Sequence, residues 1–275
     1  MGLSKNSIHS VLLHLTTEHK NDGTQNNADF HVLVGNSINI KSAVKIVPVT
    51  ITIPHFFPNI GPHSSRLMIG FNGLPQVVMT LPTSQYTNTQ LALELTGQIA
   101  TILGPTASGE NIIVSLEDGH LNINNTPDQT IQISPYFDGI VGMNDDLWEM
   151  LGLLPDLSFD IPVGNDLVMS GMDRMINMAP LHTIFVHSSH LAPSNAITSD
   201  GTPADVVDII DLSKVPYKGV AHKQINDAGL GDIDHYTTKE IGRVDIRLTD
   251  SKMRTLSLPP NYHPQLTLKV FYKPM

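Results

Sequence analysis

Thirteen histidines in 275 residues are enough to build a metal centre, and their spacing decides whether they do. The close groups are His187 with His190, and His9, His14 and His19 at intervals of five. Two ligands on one helix face need i, i+4 spacing and two on one strand face need i, i+2; neither group offers it. The His-x-His pair that cupin-type enzymes place on a strand occurs nowhere. The expectation is therefore that histidine stands in for charged side chains at surfaces and contacts, where protonation near neutral pH would tune those contacts.

Other chemistries fail on their own terms. Gly104 and Gly109 have the interval of a phosphate-binding loop, but Glu110 stands where the lysine is required and the segment follows a helix pattern instead of a strand. There is no Gly-x-Ser-x-Gly elbow and no Gly-x-Gly-x-x-Gly fingerprint. Asp145 with Asp146, and Asp205 with Asp208, could pair for acid–base work, yet a helix start and loop polarity account for them. Asn124-Asn125-Thr126 matches the glycosylation sequon and is read as a turn. No catalytic, cofactor-binding or metal site is expected, and no cofactor. Methionines at 143, 150, 169, 172, 175 and 178 read as core filler first and as an adaptable contact surface second.

Composition narrows the class. Only 15% of residues are charged, so Asn, Thr, Ser, Gln and His must fill the surface, as suits faces that partners cover at low desolvation cost. The net charge of −10 argues against direct nucleic-acid binding. Cysteine is absent, which removes disulfides, thiolate metal sites and cysteine nucleophiles. No apolar run has membrane-spanning length, and residues 1–20 lack a signal peptide's apolar stretch, so no membrane span and a reducing, soluble setting are expected.

The elements that position these residues are mostly strands. Residues 1–27 read as an N-terminal arm, an apolar stretch around Val11, Leu12 and Leu15 on a polar tether of turn formers at 21–27. From Asp29 the period is two, through Phe30 and Val32 and the β-branched run at 44–53. Pro54, Pro58 and Pro62 interrupt it; Leu67, Ile69 and Phe71 resume it, and Asn72-Gly73 predicts a hairpin into 76–81. A helix is predicted at Asn88–Leu103 from a Thr87/Gln90 capping box, a Tyr86 staple, the stripe Leu91, Leu95, Ile99, Ile102 and the Gly104-Pro105 stop. Strands follow around 112–116, 121–123 and 130–134, then a short helix capped by Asn144 with Met143 and Trp148 as its staple. Strands are predicted again at 181–187, 204–212, 217–223, 241–248, 255–258 and 266–272. The fold class expected is mainly β: a single jelly-roll β-sandwich with an inserted small α+β unit. The expected division is an arm at 1–27, the first part of the jelly roll at 28–82, the inserted unit and connector at 83–178, and the second part at 179–275.

The order of segments carries a resemblance. The Phe30-His-Val-Leu-Val stretch, the 44–60 run ending Pro-His-Phe-Phe-Pro-Asn-Ile, the 83–91 helix start and the Asp146-Leu-Trp-Glu-Met-Leu-Gly-Leu segment resemble penton and minor capsid proteins of virophages, polinton-like elements and related double-stranded DNA viruses. So do 182–190, 204–212, 241–250 and 266–272. The resemblance spans roughly 29–273 and lies in apolar spacing and turns. It implies a structural virion protein, not an enzyme: a penton that assembles as a homopentamer at the icosahedral vertices and contacts the major capsid protein, in a virion made in the host cytoplasm. A non-vertex minor capsid or cement protein, and a jelly-roll carbohydrate- or receptor-binding protein, are the alternatives. With about 70 residues in the insertion, too little chain remains for two eight-stranded sandwiches. The arm would then reach under the shell to a neighbouring subunit.

Overall fold

The structure, a computed structural model, describes residues 9–19, 27–33, 43–103, 112–117, 119–124, 130–139, 143–154, 158–162, 166–168, 175–179, 181–189, 191, 205–225 and 243–272. The chain divides into two compact units, one of Met1–Phe57 with Leu181–Met275 and one of Pro58–Pro180. In chain order the strands are β1 (His9–Thr16), β2 (Asp29–Leu33) and β3 (Ala43–Pro54) of the first unit. The second unit holds β4 (Arg66–Phe71), β5 (Val77–Thr80), α1 (Asn88–Leu103), β6 (Ile113–Glu117), β7 (His120–Asn124), β8 (Ile131–Pro135), β9 (Phe137–Asp138), β10 (Met143–Asn144), α2 (Asp146–Met150), β11 (Phe159–Ile161) and β12 (Asp166–Val168). The first unit resumes with β13 (Thr183–His187), β14 (Val206–Asp211), β15 (Val220–Gln224), β16 (Arg243–Thr249) and β17 (Gln265–Tyr272).

The eight described strands of the first unit form two antiparallel four-stranded sheets, ordered β1-β17-β3-β15 and β14-β13-β16-β2. Counted within the unit, these are strands 1-8-3-6 and 5-4-7-2, the order that results when a folded ribbon of four strand pairs is wrapped into a jelly roll. The fold is thus a mainly β jelly roll, and the second unit enters it between the third and fourth strands. Alternation supplies the core: Phe30 and Val32, Ile51 and Ile53, Ile184 and Val186, Val244, Ile246 and Leu248, and Leu266, Leu268 and Val270 all face inward and form one buried cluster. Pro48 sits inside β3, where proline removes a ladder donor. The register with β17 steps from Thr50 to Pro48 across Thr267/Leu268, so a bulge at Val49 accommodates it.

Within the segment expected as an arm, His9–Thr16 is a strand of the roll. It pairs with β17 for eight consecutive residues, and Leu15 is buried in the sandwich core. The apolar segment could not make a core of its own; it completes the core of the roll instead.

In the second unit β11-β8-β4-β5 and β12-β7-β6 form two sheets, with α1 packing on β5 and β6. The helix occupies Asn88–Leu103, as the sequence predicts. The Thr87 amide donates to Gln90 Oε1 at 2.9 Å and the Gln90 amide to Thr87 Oγ1 at 3.3 Å, a closed capping box. Leu91, Leu95 and Ile99 are buried with Leu67, Ile69, Leu121, Ile133 and Trp148. Strands β4 and β5, expected in the jelly roll, pair with each other and with β8 inside this unit. Their alternation suits either sheet, so periodicity cannot assign them. The hairpin between them turns at Asn72 (φ 50°) and Gly73 (φ 72°), both left-handed. Asp145, not Asn144, caps α2; its Oδ1 accepts from the Leu147 amide at 3.1 Å, and Asn144 ends β10. Residues 255–258 make only a single bridge, Thr255 to Thr249, in place of a strand. The Gly104–Gly109 segment and the helix stop lie outside the described residues.

Candidate functional site

The most enzyme-like constellation is centred on His187. Its Nδ1 lies 2.6 Å from Asp205 Oδ1 and its Nε2 2.9 Å from Thr249 Oγ1, while Arg247 Nη2 donates to Asp205 Oδ2 at 3.2 Å. The β13–β14 register shifts here, with Val207 of β14 as the extra residue, while β13 alternates regularly against β16; Val186 faces the core, and His187, on the opposite face beside Arg247 and Thr249, is buried as well. Acid, imidazole and hydroxyl in line have the shape of a nucleophile triad. Thr249 is fully buried, however, so no substrate can reach its hydroxyl, and its Oγ1 has Met253 Sδ at 3.9 Å on the other side. The chemistry left to it is structural: a charged and polar clasp across β13, β16 and the residue before β14.

The other candidates separate. Asp208 accepts from Lys223 Nζ at 2.7 Å and Asp205 from Arg247, so the two carboxylates bind different cations. The Asp145 carboxylate is committed as cap and partner of Arg66, and Asp146, the first residue of α2, donates its backbone amide to the His63 carbonyl at 2.7 Å. Arg66 Nε and Nη2 bridge Asp145 and Asp138 at 3.2 and 2.7 Å, and its guanidinium lies 4.4 Å from the centroid of the Tyr136 ring. Burial holds the Asp145 carboxyl above the usual carboxylate range despite that cation. Asn124, expected in a turn, is the last residue of β7.

Histidines recur in one role that spacing arguments do not show. His14 bonds Thr267, directly opposite on β17, at 3.0 Å, and His222 bonds Thr52, directly opposite on β3, at 2.9 Å. His263 bonds Thr17 at 2.7 Å, and His187 bonds Thr249. The first two pairs occupy directly opposite positions, where sheets also place opposite charges. His190 lies outside the described residues. Among the described residues no cluster of three or more His, Asp or Glu could hold a metal ion.

Part of the described exterior is neutral and apolar. Leu12 (53% exposed), Leu74 (65%), Leu93 (68%) and Val220 (60%) are open to solvent. No charged residue or histidine occurs between Arg66 and Glu94. Of the methionines, Met150 is buried, Met178 is packed on the core, and Met175 is 67% exposed, so filler and surface uses both occur. A cavity between α1 and the two sheets is lined by Leu67, Ile69, Leu95, Ile99, Leu121 and Ile133 among others, with no polar group to orient a ligand. No described helix is long and apolar enough to cross a membrane.

The chain matches no known protein family and no curated protein sequence. Among solved structures, the penton protein of mavirus aligns over 97% of this chain and 100% of its own at 12% identity, with a TM-score of 0.45, a distant likeness of fold.

Proposed function

We propose that this chain is a structural virion protein, a penton-type capsid subunit of an icosahedral double-stranded DNA virus or virophage. The observation that carries the reading is the single jelly roll in the strand order 1-8-3-6 and 5-4-7-2, interrupted once by a second compact unit. The segment order from 29 to 273 resembles that of virophage penton and minor capsid proteins, and the neutral exposed apolar residues suit faces covered by neighbours. The subunit closes a five-membered ring with copies of itself and borders the major capsid protein. Its net charge of −10 leaves genome contacts to other components. The buried hydroxyl of the His187 clasp supports a role without catalysis.

Negative-stain images and native mass measurement of the purified full chain test this. Rings of five subunits are expected. A stable monomer or trimer overturns the vertex role in favour of a cement protein, and glycan-array binding by such a monomer favours the carbohydrate-binding alternative.

A further inference from the structure

Among the described strands β1 is the outer one of its sheet, and it differs from the other edges of the roll. Strand β15 carries Lys223, β14 carries Asp208 and Asp211, and β2 carries Asp29. Such charges are how natural sheets keep edges from pairing with other chains. In the second unit the edge strand β5 is four residues long and lies between Pro75 and Pro82. Strand β1 has none of these devices. It runs eight residues in unbroken register with β17, contains no proline, and the sequence has no Lys, Arg, Asp or Glu from Asn6 to Thr17. Its apolar residues are also only half used. Leu15 is 4% exposed, but Val11 on the same face is 37% exposed, and Leu12 on the opposite face is 53% exposed.

We propose that the open edge of β1 pairs with β1 of a second copy of this chain, antiparallel about a two-fold axis centred on Leu12. A chain of net charge −10 repels its own copies except where charge is absent, and this edge is such a place. The register follows from the faces. For inward residues of both copies to stay on one side of the merged sheet, paired residues must have the same parity, as in any pleated pair. Centring on Leu12 satisfies this: Leu12 meets Leu12 on the outer face, Val11 meets Leu13 on the inner face, and Ser10 meets His14. Both under-buried side chains, Val11 and Leu12, are then covered by leucine. The merged sheet has eight strands, β15-β3-β17-β1 followed by its symmetry mate. A two-fold contact is isologous whereas a five-membered ring needs a heterologous one, so this contact and the ring use different faces and stand or fall separately.

The chain has no cysteine, so Leu12→Cys introduces a single thiol into the full-length protein. Directly opposite residues on antiparallel strands lie within disulfide reach. Mild oxidation should convert most of the Leu12→Cys protein to a covalent dimer on non-reducing gels, whereas Ser10→Cys, opposite His14, should cross-link at least about tenfold more slowly. Leu12→Lys, with circular dichroism unchanged, should weaken self-association in sedimentation by about tenfold or more, since like charges then face each other across the axis. A folded Leu12→Cys protein that stays uncross-linked overturns the proposal, as does equal cross-linking at Ser10. Pentamers without a Leu12 cross-link would leave the penton reading standing and remove this contact.

Discussion

Asp145 performs two tasks with one carboxylate, and replacing it in two ways separates them. Oδ1 caps α2 through the buried Leu147 amide, and Oδ2 takes one of the two anionic positions around Arg66. Asp145→Ala removes both. Loss of a cap costs about 1 kcal/mol, and the amide left buried without an acceptor brings the total to about 2–3 kcal/mol. Asp145→Asn keeps the cap, because asparagine is as good an N-cap as aspartate. Arg66 retains Asp138 and the Tyr136 ring and is itself partly exposed, so the lost pairing costs about 1 kcal/mol or less. Trp148, the single tryptophan, lies in α2 fully buried with its Nε1 donating to the Leu154 carbonyl at 2.6 Å, so its fluorescence reads unfolding at the perturbed site. With a urea slope of about 2 kcal/mol/M, Asp145→Ala should lower the midpoint by about 1 M and Asp145→Asn by less than half of that. The acid dependence fixes the sign of the burial effect. A carboxyl whose folded pKa is raised holds its proton more tightly when folded, so wild type gains stability relative to Asp145→Asn as pH falls through the folded value towards the ordinary carboxylate range. If the gap between the two instead closes in acid, pairing with Arg66 outweighs burial and the reasoning is refuted.

Thr87→Ala opens the capping box at the start of α1 and should cost about 1 kcal/mol, measured by thermal unfolding; no loss would mean the box is ornamental to a helix held by packing. His187→Ala removes the stronger of the two partners of Thr249 Oγ1, leaving the sulfur of Met253, and empties a buried site, so it should cost about 2–4 kcal/mol, read by chemical denaturation. Hydrogen bonds from Ser213 hold the exposed Asp211 carboxyl below its ordinary value, so its contribution is present above the unfolded pKa and is lost as pH falls through the folded one. Ser213→Ala, which removes the side-chain donor, should move the Asp211 titration upward in carboxyl NMR.

Local signals were legible in the sequence and long-range ones were not. The extent of α1 and the Asn72-Gly73 turn were readable because capping boxes and left-handed turn residues act within four positions. Strand positions followed from β-branched alternation. Partnership did not: His9–Thr16 has the same pattern as an arm would have, and only its pairing with β17, some 250 residues on, makes it part of the roll. The same limit applies to β4 and β5, which pair with each other and with β8, since alternation names a face without naming the sheet. Asp145 was preferred to Asn144 as the cap because Arg66, distant in sequence, anchors its other oxygen. The His187 clasp draws on three separate segments, with no local spacing to betray it.

The position of β17 between β1 and β3 has a consequence for how the chain is made. The contiguous second unit can leave the ribosome and fold while the roll is still missing its closing strand. At about 5–20 residues per second, β1 waits roughly ten to fifty seconds for β17. Throughout that interval the uncharged strand β1 has no sheet behind it. The final strand therefore acts as a licence: a nascent or prematurely terminated chain lacks the platform on which β1 becomes an ordered edge, and only a chain translated through Tyr272 can present it to a neighbour.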